Sequence, residues 1–128
     1  MPFTVGRPVT EAKADLFKAL GHPARVRVLE LLAERDHTIG ELAELSGMEL
    51  SHLSQQVSVL RRAGFVDSRR VKTSVVCSLR DPQTAELLGV ARRMIGHNLR
   101  HGQALLAALN DAADDAVSLV DSSRVILT

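Results

Sequence analysis

Apolar residues recur along this chain at two different spacings, and the change between them divides it. As far as Gly64 the spacing is helical. Thr10 is placed to cap a first helix, and Glu11 falls in its first turn, where negative charge is favoured. Ala14, Leu16, Phe17 and Leu20 make its apolar stripe, and Gly21 ends it. His22-Pro23 opens a second helix. Proline suits the first helical position, where its missing N–H would be unpaired anyway, and His22 reads as a cap-like structural residue. Val26, Val28, Leu29, Leu31 and Leu32 carry the spacing on to about Glu34. Arg35-Asp36-His37 reads as a short loop, with no partner visible for His37. Thr38, with Glu41 three residues later, is a capping-box pattern for a third helix. Its apolar face is Ile39, Leu42, Ala43 and Leu45, and Gly47 closes it. A fourth helix opens near Leu50 or Ser51, with Leu53, Val57 and Leu60 on one face and Gly64, after Ala63, as a left-handed cap.

After Gly64 the period changes. FVDSRRV and SVVCSLR are rich in β-branched residues and flank Lys72-Thr73, which predicts a β-hairpin. Asp81-Pro82 then starts a last helix, with Leu88, Ala91, Ile95, Leu99, Gly102, Leu106, Leu109 and Ala113 at spacings of three or four. That stripe runs about seven turns, more than a small domain needs for its own core. It predicts packing against a second chain; a helix lying across its own core is the other reading. The order α-α-α-α-β-β-α, mainly helical with a hairpin wing, is that of a winged helix-turn-helix. Residues 1–9 form an N-terminal extension, 10–116 the domain with its dimerisation helices, and 117–128 a tail that is either disordered or packed on a dimer.

Composition narrows the class. A length of 128 residues fits one domain, and a hydrophobic fraction of 45% is too high for a disordered chain. The single cysteine, Cys77, excludes a disulfide framework and any Cys-rich zinc site within one chain. No apolar run approaches the roughly 18 residues of a membrane span, and the N-terminus lacks a signal-peptide layout. A soluble cytoplasmic protein without a membrane partner is expected. The net charge of +1 suggests nothing until it is mapped along the chain. Residues 11–60 sum to −3 and residues 81–128 to −2, whereas residues 61–80 hold six basic side chains against Asp67 alone. A basic block in an otherwise acidic chain is either a solvated face or an electrostatic footprint for a polyanion.

The fourth helix favours the second reading. Opposite its apolar stripe stand Ser51, His52, Ser54, Gln55, Gln56, Ser58, Arg61 and Arg62. Gln can bond an adenine edge through two atoms, Ser can bond base or phosphate, and Arg can pair with guanine or phosphate. No acidic residue occurs from Leu50 to Gly64, as a phosphate-lined groove requires. An ordinary exposed face of a bundle helix would carry Glu and Lys instead of a Ser/Gln run.

FKALGHPARVRVLELL, then TIGELAELSGMELSHLSQQVSVLRRAGFV, then RRVKTSVVCSLRD resemble, in order, the segments of the ArsR/SmtB family of bacterial winged-helix repressors. The resemblance covers roughly residues 14–95, and the recognition-helix segment is most similar to actinobacterial members. It implies a homodimer that binds a palindromic operator in double-stranded DNA and represses its own or adjacent genes. It implies dimerisation through the first and last helices. It also implies base-facing roles for Ser51, His52, Ser54, Gln55 and Gln56. Ser58 and Arg61 would lie nearer the backbone, and Arg69, Arg70, Lys72 and Thr73 would form the wing. Two recognition helices would then sit about one DNA turn apart.

The family's signal-sensing sites are not reproduced. TIGELAELSG has no cysteine for a thiolate site in the third helix. The last-helix metal site, aligned on His97, finds Thr84 and Arg100 where ligands are needed. His97 and His101 share one helix face at i and i+4 and can chelate a divalent metal, with Glu86 from the partner chain as a third ligand. Ordinary interface or surface histidines are the competing reading. Cys77 is either a buried small hydrophobe or a redox sensor lacking a resolving thiol in its own chain. The inducer is not legible. A winged-helix module for protein–protein contact is the alternative function. No nucleophile–base pair or phosphate-binding glycine loop suggests an enzyme.

Overall fold

A computed structural model of the chain describes residues 8–115. Its elements are α1 (Val9–Leu20), α2 (Pro23–Glu34), β1 (His37–Thr38), α3 (Ile39–Ser46), α4 (Leu50–Arg62), β2 (Val66–Val71), β3 (Ser74–Leu79) and α5 (Gln83–Asp115). This is the mainly helical winged fold with one strand more than expected. Residues 1–7 of the extension, the tail 117–128 and the side chain of Ala113 lie outside the described residues. The chain divides into two units, Met1–Leu88 and Gly89–Thr128, so the division falls within α5.

The helix ends follow from local chemistry. α1 begins at Val9, with Pro8 as its N-cap, two residues earlier than a cap at Thr10 would place it. His22 caps α2: its Nδ1 accepts the Ala24 N–H at 3.1 Å, and Pro23 takes the first position. At α3 the capping box is complete. The Glu41 N–H donates to Thr38 Oγ1 and the Thr38 N–H donates to Glu41 Oε1, both at 3.1 Å. Gly47 closes α3 at φ 72°, a conformation that costs a residue with a Cβ about 1–2 kcal/mol. α4 ends in a Schellman motif, with the Phe65 N–H bonded to the Leu60 carbonyl and the Gly64 N–H to the Arg61 carbonyl. Gly64 supplies the required φ of 87°, and Phe65, at the following position, is buried.

The core of the first unit gathers one face from each element. α2 contributes Val28, Leu29, Leu31 and Leu32, α3 contributes Leu42, and α4 contributes Leu53, Val57 and Leu60. Phe65, Val66 and Cys77 complete it from the hairpin side. α1 buries no residue fully. The sheet is antiparallel in the order β1-β3-β2. β2 and β3 run from Val66 opposite Leu79 to Val71 opposite Ser74, so Lys72-Thr73 is a two-residue turn. Lys72 takes φ 58° there.

The segment read as a loop is corrected at His37. His37 and Thr38 form β1, opposite Cys77 and Val76 of β3. Two residues are too few to show an alternating pattern, and Thr38 is also the cap of α3. His37 is buried, and its Nδ1 lies 3.4 Å from Glu41 Oε2. Its Nε2 is buried with no hydrogen-bond partner among the described residues.

Glu41 joins this cap to its surroundings, since Arg35 Nη2 also lies 3.2 Å from Oε2. The Thr38 backbone N–H, and then the Arg35 guanidinium, lower the Glu41 carboxyl from 4.5 to about 2. A carboxyl whose pKa is depressed on folding adds stability above its unfolded pKa and loses it as the pH falls. Urea melts should therefore show an acid-limb loss between pH 4.5 and about 2 that Glu41→Gln removes. Thr38→Ala should cost about 1 kcal/mol at neutral pH.

Candidate nucleic-acid interface

α4 has two chemically different faces, and packing decides which is presented. Leu53, Val57 and Leu60 go into the core. Ser51, His52, Gln55, Arg61 and Arg62 are exposed, and Ser54, Ser58 and Val59 are half-buried. Ser54, Gln55, Gln56, Ser58, Val59 and Arg62 line one shallow groove on this face. The groove walls offer hydroxyl and amide donors and acceptors with a guanidinium at one end, a set suited to base edges and phosphates. Ser51 is not idle: its hydroxyl donates to Glu49 Oε1 at 3.1 Å.

Gln56 does not share this exposure. It is only 8% exposed, and its Oε1 accepts from Arg25 Nε at 2.9 Å. Gln56 thus lines the groove with little of its side chain exposed, and its amide oxygen is engaged by Arg25. The signal was available. Gln56 stands three residues after Leu53 and four before Leu60, inside the apolar stripe, so its position outweighs its residue type.

The wing carries Arg69, Arg70, Lys72 and Thr73, all exposed. They are not equivalent. Arg69 Nη1 is held 3.3 Å from Asp36 Oδ2, ahead of β1, whereas Arg70 and Lys72 have no ion pair among the described residues. Arg80 Nε is similarly bonded to Asp67 Oδ1 at 2.9 Å across the hairpin base. Among the described residues the basic block thus divides into unpaired cations at the tip and on β2, and cations neutralised near the body. Residue counting alone does not separate the two.

Other candidates fall elsewhere. Cys77 is fully buried on the middle strand, with Ser68 Oγ 3.9 Å from its sulfur. Burial pushes its thiol up, and Asp36 adds to the rise; the Ser68 contact and Arg61 oppose it. His97 and His101 are exposed on α5 in the second unit, and Glu86 is exposed in the first. No three His, Cys, Asp or Glu side chains among the described residues are grouped to hold a metal ion. No helix among them is long and apolar enough to cross a membrane.

A helix-turn-helix whose second helix turns a polar, acid-free face outward, followed by a basic hairpin, defines a winged helix-turn-helix protein. Residues 22–68 match the family model of the bacterial regulatory proteins of the arsR family. The chain is 48% identical over 103 residues to Rv0081, an HTH-type transcriptional regulator of Mycobacterium tuberculosis, covering 80% of this chain and 90% of that protein. The crystal structure of Rv0081 matches with a TM-score of 0.69 over 75% of this chain and 97% of that one. A biofilm growth-associated repressor of Agrobacterium fabrum is 35% identical over 94 residues, covering 68% of this chain and 80% of the relative. The crystal structure of the transcriptional repressor BigR from Xylella fastidiosa matches at 32% identity and TM-score 0.63, over 66% of this chain and 87% of the other. The chain belongs to the arsR family of bacterial regulatory proteins, and is a transcriptional regulator of the winged helix-turn-helix class.

The burial of Cys77 has a direct consequence for its chemistry. An exposed thiol-specific reagent should label the folded protein only at the rate of unfolding, and addition of denaturant should make labelling immediate. Fast labelling of the native protein would place the thiol outside the core.

Proposed function

We propose that this regulator is a homodimeric, sequence-specific repressor of its own or adjacent genes, acting in the cytoplasm. One α4 from each protomer would enter the major groove of a palindromic operator. The observation that carries this reading is the face of α4: exposed Ser, Gln and Arg side chains, no acid, and an opposite face held in the core. Ser51, His52, Ser54 and Gln55 are the base-reading set, and Ser58 and Arg61 lie nearer the phosphates. Arg70, Lys72 and Thr73 of the wing reach the backbone, joined by Arg69 once it leaves Asp36.

Dimerisation is supported by apolar surface that each unit leaves open. α1 exposes Val9 and Phe17, and α5 exposes Val90, Met94, Ile95, Leu99, Leu105 and Leu109. A second copy is the occupant that the family's regulators suggest, and the two-fold axis would match the operator's symmetry. The relatives are regulators, so the chain is read as a binding protein.

A duplex enriched from a random library by the full chain provides the probe. Binding should fall steeply with salt. Arg61, Arg70 and Lys72 in both protomers would neutralise about six phosphates, a roughly thousandfold loss between about 50 and 200 mM salt. A flat salt response would sink the reading. Arg70→Ala should weaken all duplexes alike, while Gln55→Ala should cost about 1–3 kcal/mol of discrimination at one position per half-site. Asp36→Asn should tighten binding by about two- to fivefold in gel-shift titrations, because it frees Arg69 from a surface ion pair and removes a negative charge. Weaker binding by Asp36→Asn would show that the pair orders the wing instead of masking it.

A further inference from the structure

We propose that Arg25 is a positioning residue for operator recognition: by holding Gln56 of α4 and the end of α1 at once, it sets the angle at which α4 meets DNA. This rests on the repressor reading above. Gln56 is a polar side chain in an apolar stripe, 8% exposed, between Leu53 and Leu60 at 0%. A hydrophobic residue would fill that position without needing a partner, so the amide there is tied to the bond that it makes. Arg25 Nε donates to Gln56 Oε1 at 2.9 Å, and Arg25 Nη1 donates to the Ala19 carbonyl at 3.1 Å.

The chemistry leaves no freedom in this arrangement. A guanidinium only donates, so the atom of Gln56 that meets it must be the oxygen. Ala19 lies in the last turn of α1, where carbonyls have no partner within the helix, and Arg25 supplies one. The planar fork holds its two acceptors in fixed relative directions, which a lysine cannot do. Arg25 itself stands in the first turn of α2, so one side chain links three helices. The α4 end of this link matters most. Ser54 and Gln55 precede Gln56 directly and line the same groove with it, both more exposed than Gln56. Turning α4 by about 10° moves a side-chain tip at its surface by about 1 Å, more than base-edge hydrogen bonds tolerate. α1 buries no residue of its own and exposes Phe17. A load on α1, such as the docking of a second copy, therefore reaches α4 through the Arg25 clamp.

The test uses the full chain and two duplexes: one enriched from a random library by the unaltered protein, and a scrambled version of it. The readout is the ratio of the two dissociation constants, alongside thermal melting. Arg25→Lys and Gln56→Leu each break the clamp. Each should lower the ratio by about tenfold, the effect of losing one charge-assisted hydrogen bond, with binding to the scrambled duplex unchanged. Gln56→Glu still accepts from Arg25 and should keep the ratio within about threefold. Neither Gln56 variant touches α1, so these two decide the matter if Arg25→Lys melts early. Equal losses in Gln56→Glu and Gln56→Leu would mean that Gln56 acts by touching a base, and would overturn the proposal. So would an unchanged ratio in Gln56→Leu, or equal weakening on both duplexes, which marks a merely structural role. Failure of the unaltered chain to enrich any duplex would instead overturn the repressor reading itself.

Discussion

Leu53, Val57 and Leu60 enter the core together because they lie on one face of α4, and their burial orients everything the helix shows to solvent. A helix surface has only one opposite side. Once the stripe meets α2 and α3, the Ser/Gln/Arg face must point away from the domain. The Schellman turn at Gly64 then carries the chain into Phe65 and Val66, which return to the same core. The hairpin is thereby anchored at the C-terminal end of α4. Losing the stripe would release both recognition elements at once.

Electrostatics refine what packing presents. The acidic body does more than balance charge. Asp36 and Asp67 sit against Arg69 and Arg80, so part of the basic block is neutralised within the protein. Exposed pairs of this kind contribute little to stability, typically about 0–1 kcal/mol. Their effect falls on binding, because a cation already paired offers less to a phosphate. Arg70 and Lys72 have no ion pair among the described residues, which leaves cations on β2 and at the hairpin tip available to a polyanion. Serine and glutamine on α4, with no aromatic residue among them, suit duplex grooves better than unpaired bases.

Local chemistry made much of this legible. Thr38 and Glu41 announce the start of α3, Gly47 and Gly64 announce two helix ends, and Pro23 announces α2. Each signal acts within a few residues, so tertiary context had little to add. The hairpin was visible from its β-branched runs. β1 was not, because two residues carry no period and their strand character exists only through β3. His37 looked like a loop residue for the same reason: its strand partner, Cys77, lies 40 residues further along the chain.

The amino-acid order alone determined the helices, the hairpin, the basic block and the polar face of α4, since periodicity and capping are properties of short stretches. The tertiary structure decided which polar residues belong to that face and which cations are free. Gln56 has the chemistry of a base reader but stands in the apolar stripe, and its amide oxygen accepts from Arg25. Asp36 and Arg69 are 33 residues apart in the chain and 3.3 Å apart in the fold. A pairing between distant segments depends on how helices and strands pack, and no local pattern encodes it.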